Sequence, residues 1–98
     1  MKTIYISGRI SGLPYDEALE IFCSVEKKLQ NLGYAVINPM AHVHFNESFT
    51  WFDYIGECIK LLGKCDHIYM LKDWQLSDGA CIEHETSIRK GIIITYER

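Results

Sequence analysis

Apolar residues along the chain alternate between two rhythms, a period of about two and a period of about four. Thr3-Ile4-Tyr5-Ile6-Ser7 is β-branched and aromatic, which suits a strand, and Gly8 ends it. Ala18, Phe22, Val25, Leu29 and Leu32 then recur at helical spacing, predicting a helix over residues 15–32. Pro14 fits its first turn, Asp16 and Glu17 its positive end, and Gly33 its C-terminal cap. Tyr34-Ala35-Val36-Ile37 reads as a second strand closed by Asn38-Pro39, and residues 40–49 as a loop. Thr50 followed three residues on by Asp53 resembles a capping box, opening a helix over 51–63 with the stripe Trp51, Ile55, Cys58, Ile59 and Leu62. His67–Leu71 and Ile92–Thr95 are short apolar runs, read as strands three and four. Between them, a glycine-containing loop at Ser77–Gly79 opens a third helix.

The order β-α-β-α-β-α-β predicts an α/β fold: a doubly wound, Rossmann or flavodoxin-like parallel sheet of about four strands, order 2-1-3-4, with three helices and right-handed crossovers. Residues 1–98 read as a single domain. Ligands of open parallel sheets bind outside the carboxyl ends of the strands at the switch point. That rule makes Tyr5, Ser7, Gly8 and Arg9 site candidates by position and sets them opposite Asp73–Gly79 and Glu83. Within the last helix, Gly79, Glu83, Ser87 and Gly91 recur every four residues and share one face. Glu83 is therefore flanked by small residues or none, which leaves room for a ligand. The plainer reading of such a glutamate is a solvated charge complementing the helix dipole.

Composition narrows the choices. A 48% hydrophobic content argues for a globular fold. A net charge of -3 gives no reason to expect nucleic acid or an anionic membrane surface as partner. No apolar run approaches the roughly 20 residues of a membrane span. The N-terminus is too short and too β-like for a signal peptide, so a cytoplasmic location is expected. Cys23, Cys58, Cys65 and Cys81 form no C-x-x-C pair and read as buried reduced thiols. His42 and His44 alternate with apolar residues but have no third ligand at sensible spacing, so no metal and no cofactor is expected.

Taken together, these residues resemble the nucleoside 2-deoxyribosyltransferase-like superfamily, in particular its short bacterial and phage members. Ile4-Tyr5-Ile6-Ser7-Gly8, Phe22, Leu29, Gly33-Tyr34-Ala35-Val36-Ile37-Asn38-Pro39 and Cys65-Asp66 carry the N-terminal part of the likeness. Trp74, Ser77, Gly79-Ala80, Glu83 and Gly91 carry the more specific C-terminal part. The resemblance implies a nucleoside or nucleotide N-glycosidase or 2-deoxyribosyltransferase. Glu83 would be its nucleophile, forming a glycosyl-enzyme ester, and Tyr5 would orient that carboxylate. Ser77 and Gly79 would hold a 5'-hydroxyl or phosphate, with Trp74 and Asp78 in the same binding segment.

The sequence departs from the pattern in two places. Arg9 stands where Pro often follows the first Gly, and it suits a phosphate. The second-helix acid that assists the leaving base aligns with Cys58, with Glu57 adjacent, so Asp73 or Asp78 would have to substitute. The resemblance also implies a homodimer or higher homo-oligomer in which Tyr96, Glu97 or Arg98 completes a neighbour's pocket. Two other readings remain: a non-catalytic nucleotide-binding or sensing module, and a structural domain with Glu83 in solvent.

Overall fold

The computed structural model describes residues 1–43 and 48–98. Strands β1 (Thr3–Ser7), β2 (Ala35–Ile37), β3 (His67–Met70) and β4 (Ile93–Tyr96) form one parallel sheet in the order β2-β1-β3-β4. Tyr5 lies opposite Ile37 on one side and Ile68 on the other, and Ser7 lies opposite Met70. Helices α1 (Tyr15–Asn31), α2 (Pro39–His42), α3 (Trp51–Leu62) and α4 (Asp78–Lys90) connect the strands. The expected architecture and strand order are therefore present.

Strand alternation divides the core into two layers. Ile4 and Ile6 point to one face of the sheet, where they meet Phe22, Val25 and Leu29 of α1 together with Tyr69 and Leu71. Tyr5 points to the other face and joins Ile68, Met70, Cys58 and Leu62 of α3 and Ala80 of α4. The caps behave as their residue types dictate. Thr50 and Asp53 form the reciprocal capping box, and Ser77 caps α4 by accepting from the Ala80 backbone N–H. Gly33 and Gly91 follow α1 and α4 in the left-handed region, at φ 97° and 73°.

Some expectations need correction. The described residues form four α-helices and not three, because Pro39–His42, expected as part of a loop, forms the short α2. Asn38 starts it by accepting from the Met40 backbone N–H, and Pro39 supplies a fixed φ at its first position. The segment after β3, expected as plain loop, holds a 3-10 turn at Trp74–Leu76. Gly79 belongs to the first turn of α4 and not to the loop before it. Only Cys58 is buried; Cys23, Cys65 and Cys81 are half-buried, and all four are free thiols.

Gly8 links the sheet to the site. A Cβ placed there would stand 2.7 Å from Leu71 Cδ1 and 2.8 Å from Leu71 Cβ, and Leu71 is a buried core residue. The backbone after β1 can lie against Leu71 only because this residue has no side chain. Gly8→Ala is expected to lower stability by about 1–3 kcal/mol through overpacking, read from the urea midpoint at unchanged slope. A midpoint equal to that of the wild type would contradict this packing.

Candidate functional site

The site begins with the alternation of β1. Tyr5 and Ser7 are two residues apart and project from the same face of the sheet. Above them runs α4, whose buried residues are Gly79, Ala80, Glu83 and Ser87. This is the small-residue face expected from the sequence, and it lies against the sheet. The absence of bulk there lets α4 approach closely. A Cβ on Gly79 would come within 2.5 Å of Ile55 Cδ1 of α3.

Glu83 is therefore not a solvated helix charge. It is 5% exposed. The Tyr5 hydroxyl donates to one carboxyl oxygen at 2.5 Å, and the Ser7 hydroxyl donates to the other at 2.7 Å. Ser87 donates its hydroxyl to the Glu83 backbone carbonyl at 2.8 Å. Both oxygens of the carboxyl group are thus held by donors from one strand, which fixes its orientation. Burial raises the Glu83 pKa from 4.5 to about 7, and the Tyr5 and Ser7 hydrogen bonds oppose that rise. The group is thus close to its midpoint at neutral pH, whereas the sequence suggests a permanently ionised carboxylate. Burial, followed by the neighbouring Glu83 charge, pushes the Tyr5 phenol well above its ordinary value, so it stays a donor.

Glu83 and Tyr5 line a cavity of about 310 Å³. Its other walls come from three segments. Gly8, Ile10 and Ser11 follow β1; Trp51, Tyr54, Ile55 and Cys58 come from α3; and Leu76, Ser77, Asp78 and Gly79 lead into α4. These meet outside the carboxyl ends of β1 and β3, at the switch point of the sheet.

The helix register that the sequence left open is now decided. Cys58 faces the cavity, whereas Glu57 turns outward and pairs with Lys60 at 3.2 Å. Burial pushes the Cys58 thiol up to about 11; a hydrogen bond with Tyr5 opposes this, and the Glu83 charge adds to it.

The other candidates divide by placement. Tyr5, Gly8, Ser77, Asp78 and Gly79 line the cavity together with Glu83, and Ser7 reaches the same carboxyl group from below. Arg9, Asp73 and Trp74 are not among the residues lining it. Arg9 folds back on its own loop, where its Nε donates to the Ser11 carbonyl at 3.3 Å. Asp73 is exposed, in the left-handed region at φ 64°, where it precedes the 3-10 turn. The Trp74 ring stacks on His84 at 4.2 Å, and His84 Nε2 lies 2.6 Å from the Tyr96 hydroxyl. Of the C-terminal residues, Tyr96 is thus engaged within the chain, and Glu97 accepts from the Lys72 backbone N–H at 2.9 Å.

His42 Nδ1 lies 2.9 Å from the Asn38 carbonyl oxygen, and His44 falls outside the described residues. Among the described residues no group of three or more His, Cys, Asp or Glu side chains is placed to hold a metal. Sequence reasoning missed Trp51, Tyr54 and Ile55 as cavity walls, because their spacing on α3 marks a buried stripe without saying which end of it stays open. Tyr54, four residues before Cys58 and so on the same face, was the available signal.

Residues 2–96 match the family model described as a domain of unknown function, DUF4406, and the chain belongs to that family. No curated protein matches it. Among solved structures it is similar to the 2-deoxyribosyltransferase of the psychrotolerant bacterium Bacillus psychrosaccharolyticus, a biocatalyst for the synthesis of antiviral and antitumoral nucleosides. The TM-score is 0.74 at 17% identity, over 96% of this chain and 70% of that one. The likeness establishes a shared fold.

The raised carboxyl pKa has a consequence for stability. Between its unfolded value near 4.5 and its folded value near 7, the native state binds the extra proton, so stability falls as pH rises through that window. The destabilisation is absent well below the window and complete above it. Glu83→Gln keeps acceptor and donor atoms for Tyr5 and Ser7 but has no charge. Its stability relative to the wild type is expected to rise by about 2–3 kcal/mol between about pH 5 and about pH 8, measured by urea unfolding. A flat difference across that range would contradict a buried, titrating Glu83.

Proposed function

We propose that the protein cleaves the N-glycosidic bond of a nucleoside or nucleotide, as an N-glycosidase or a 2-deoxyribosyltransferase, with Glu83 as nucleophile. The observation that carries this reading is the Glu83 carboxyl group, bonded to Tyr5 and Ser7 and lining a cavity large enough for a sugar and part of a base. The shared fold with a 2-deoxyribosyltransferase supports it.

In the first step a Glu83 oxygen forms a bond to the anomeric carbon while the carbon–nitrogen bond breaks and its electron pair leaves with the base. The carboxylate stabilises the positive charge that develops on the sugar and then bonds to it. In the second step water, or the nitrogen of another base, displaces Glu83 from the sugar carbon and loses a proton. Tyr5 and Ser7 hold the carboxyl group in place through both steps. Backbone and hydroxyl groups at Ser77–Gly79 bind the sugar end of the substrate.

The departing base must also gain a proton. Cys58 occupies the α3 position facing the cavity, and a thiol with pKa near 11 is a weak acid for this purpose. Glu57 is turned away and Asp73 does not reach the cavity. Asp78 is the remaining acid among the described lining residues, so the proton comes from Asp78 or from solvent, and turnover should depend on how readily the base leaves. The same Cys58 is the observation that favours a second reading, a nucleotide-binding or sensing module that kept the pocket. Thermal stabilisation by nucleosides or nucleotides with no release of free base would select that alternative.

The direct test follows free-base release from a panel of deoxynucleosides, ribonucleosides and their monophosphates. Glu83→Gln should reduce release by roughly 10³-fold or more while keeping the fold, since it removes the covalent step. Wild-type kcat/KM should rise with pH through about 7, as Glu83 ionises. Tyr5→Phe removes a hydrogen bond that favours the ionised form, so its rising limb should move to higher pH. Release of no base from any panel member, or full activity in Glu83→Gln, would reject the enzymatic reading.

A further inference from the structure

We infer that, of the two substrate classes, the site takes the uncharged nucleoside and discriminates against its 5'-phosphate. This inference rests on the N-glycosidic reading and sharpens it. The residues lining the cavity include two acids, Glu83 and Asp78, and, among the described residues, no lysine or arginine. Residues 44–47, His-Phe-Asn-Glu, contain no lysine or arginine either. Arg9 is the cation nearest in sequence to the cavity walls, yet it does not line the cavity and its Nε is turned to its own loop. Its Nε donates to the Ser11 carbonyl, and its Nη2 lies 2.8 Å from where a Gly12 Cβ would stand.

The start of α4 is the remaining anion-binding element among the described residues, and it already carries a side-chain cap and an acid. A helix N-terminus attracts a phosphate through free backbone N–H groups and the positive end of the dipole. Here the Ser77 hydroxyl accepts from the Ala80 N–H at 3.2 Å, and Asp78 sits in the first turn as its negative charge. A phosphate dianion entering this cavity meets two carboxyl groups, and no lysine or arginine among the described lining residues offsets them. A 5'-hydroxyl meets no such repulsion, and Ser11, Ser77 and free backbone groups can hydrogen-bond it.

The test compares kcat/KM for a 2'-deoxynucleoside and the 5'-monophosphate carrying the same base, chosen for an easily departing base. The nucleoside should be favoured by roughly ten-fold or more at low ionic strength, and the gap should narrow as salt is added, because the repulsion is electrostatic. Asp78→Asn should narrow the gap as well, by raising monophosphate turnover. Equal or better use of the monophosphate, or a ratio insensitive to both salt and Asp78→Asn, would overturn this inference while leaving the N-glycosidic reading standing. Failure to release base from either compound would remove that reading itself, and this inference with it.

Discussion

The structure turns on one buried carboxyl group held by two hydroxyls of a neighbouring strand. A carboxylate removed from water without partners is costly enough that the group changes its protonation state instead. Glu83 avoids the extreme through Tyr5 and Ser7, which satisfy both of its oxygens. Each partner brings its own requirement. Tyr5 and Ser7 must lie on the same face of β1, which places Ile4 and Ile6 under α1. Glu83 must sit on the one stripe of α4 whose neighbours, Gly79, Ala80 and Ser87, are small enough to let the helix down onto the sheet. The strand alternation that splits the core into two layers and the small-residue face that lets α4 approach α3 meet in this single contact.

The same contact sets the electrostatics of the cavity. Burial raises the carboxyl pKa and the hydroxyl donors lower it, and the balance falls near neutrality. A group poised there is an effective base or nucleophile that still exists partly in its neutral form, the condition that general acid–base and covalent catalysis favour. Among the described lining residues no lysine or arginine pulls the value back toward that of an ordinary glutamate. Tyr5, Tyr54 and Cys58 are all pushed upward by burial and stay neutral at neutral pH.

Much of this was legible in the sequence, and the boundary of legibility has a physical cause. Strands and long helices were readable because apolar periodicity reports which face is buried. The small-residue period of Gly79, Glu83 and Ser87 suggests room for a ligand, but much of that room is taken up by close packing, as Ile55 against Gly79 shows. The short α2 and the 3-10 turn after β3 carry no such period. They arise from local hydrogen bonding at Asn38 and from the left-handed conformation of Asp73. Loop side chains were the least readable. Arg9, Asp73 and Trp74 lie in the segments the switch-point rule selects, but the rule says where a loop is and nothing about where its side chains point. Arg9 turns to the Ser11 carbonyl and Trp74 to His84.

The two walls of the cavity show why fold and reaction separate at low identity. The β1–α4 wall is polar where it matters: Tyr5 and Ser7 each donate to a different oxygen of Glu83, so replacing Glu83 leaves both hydroxyls without that partner. The α3 wall is set by a different rule. Position 58 needs only to fill space in a helix stripe that packs on the sheet, and a cysteine does so while buried at 2% exposure. The architecture is preserved at 17% identity. Similarity of fold therefore speaks to the packed β1–α4 layer more than to the side chain that faces the cavity from position 58.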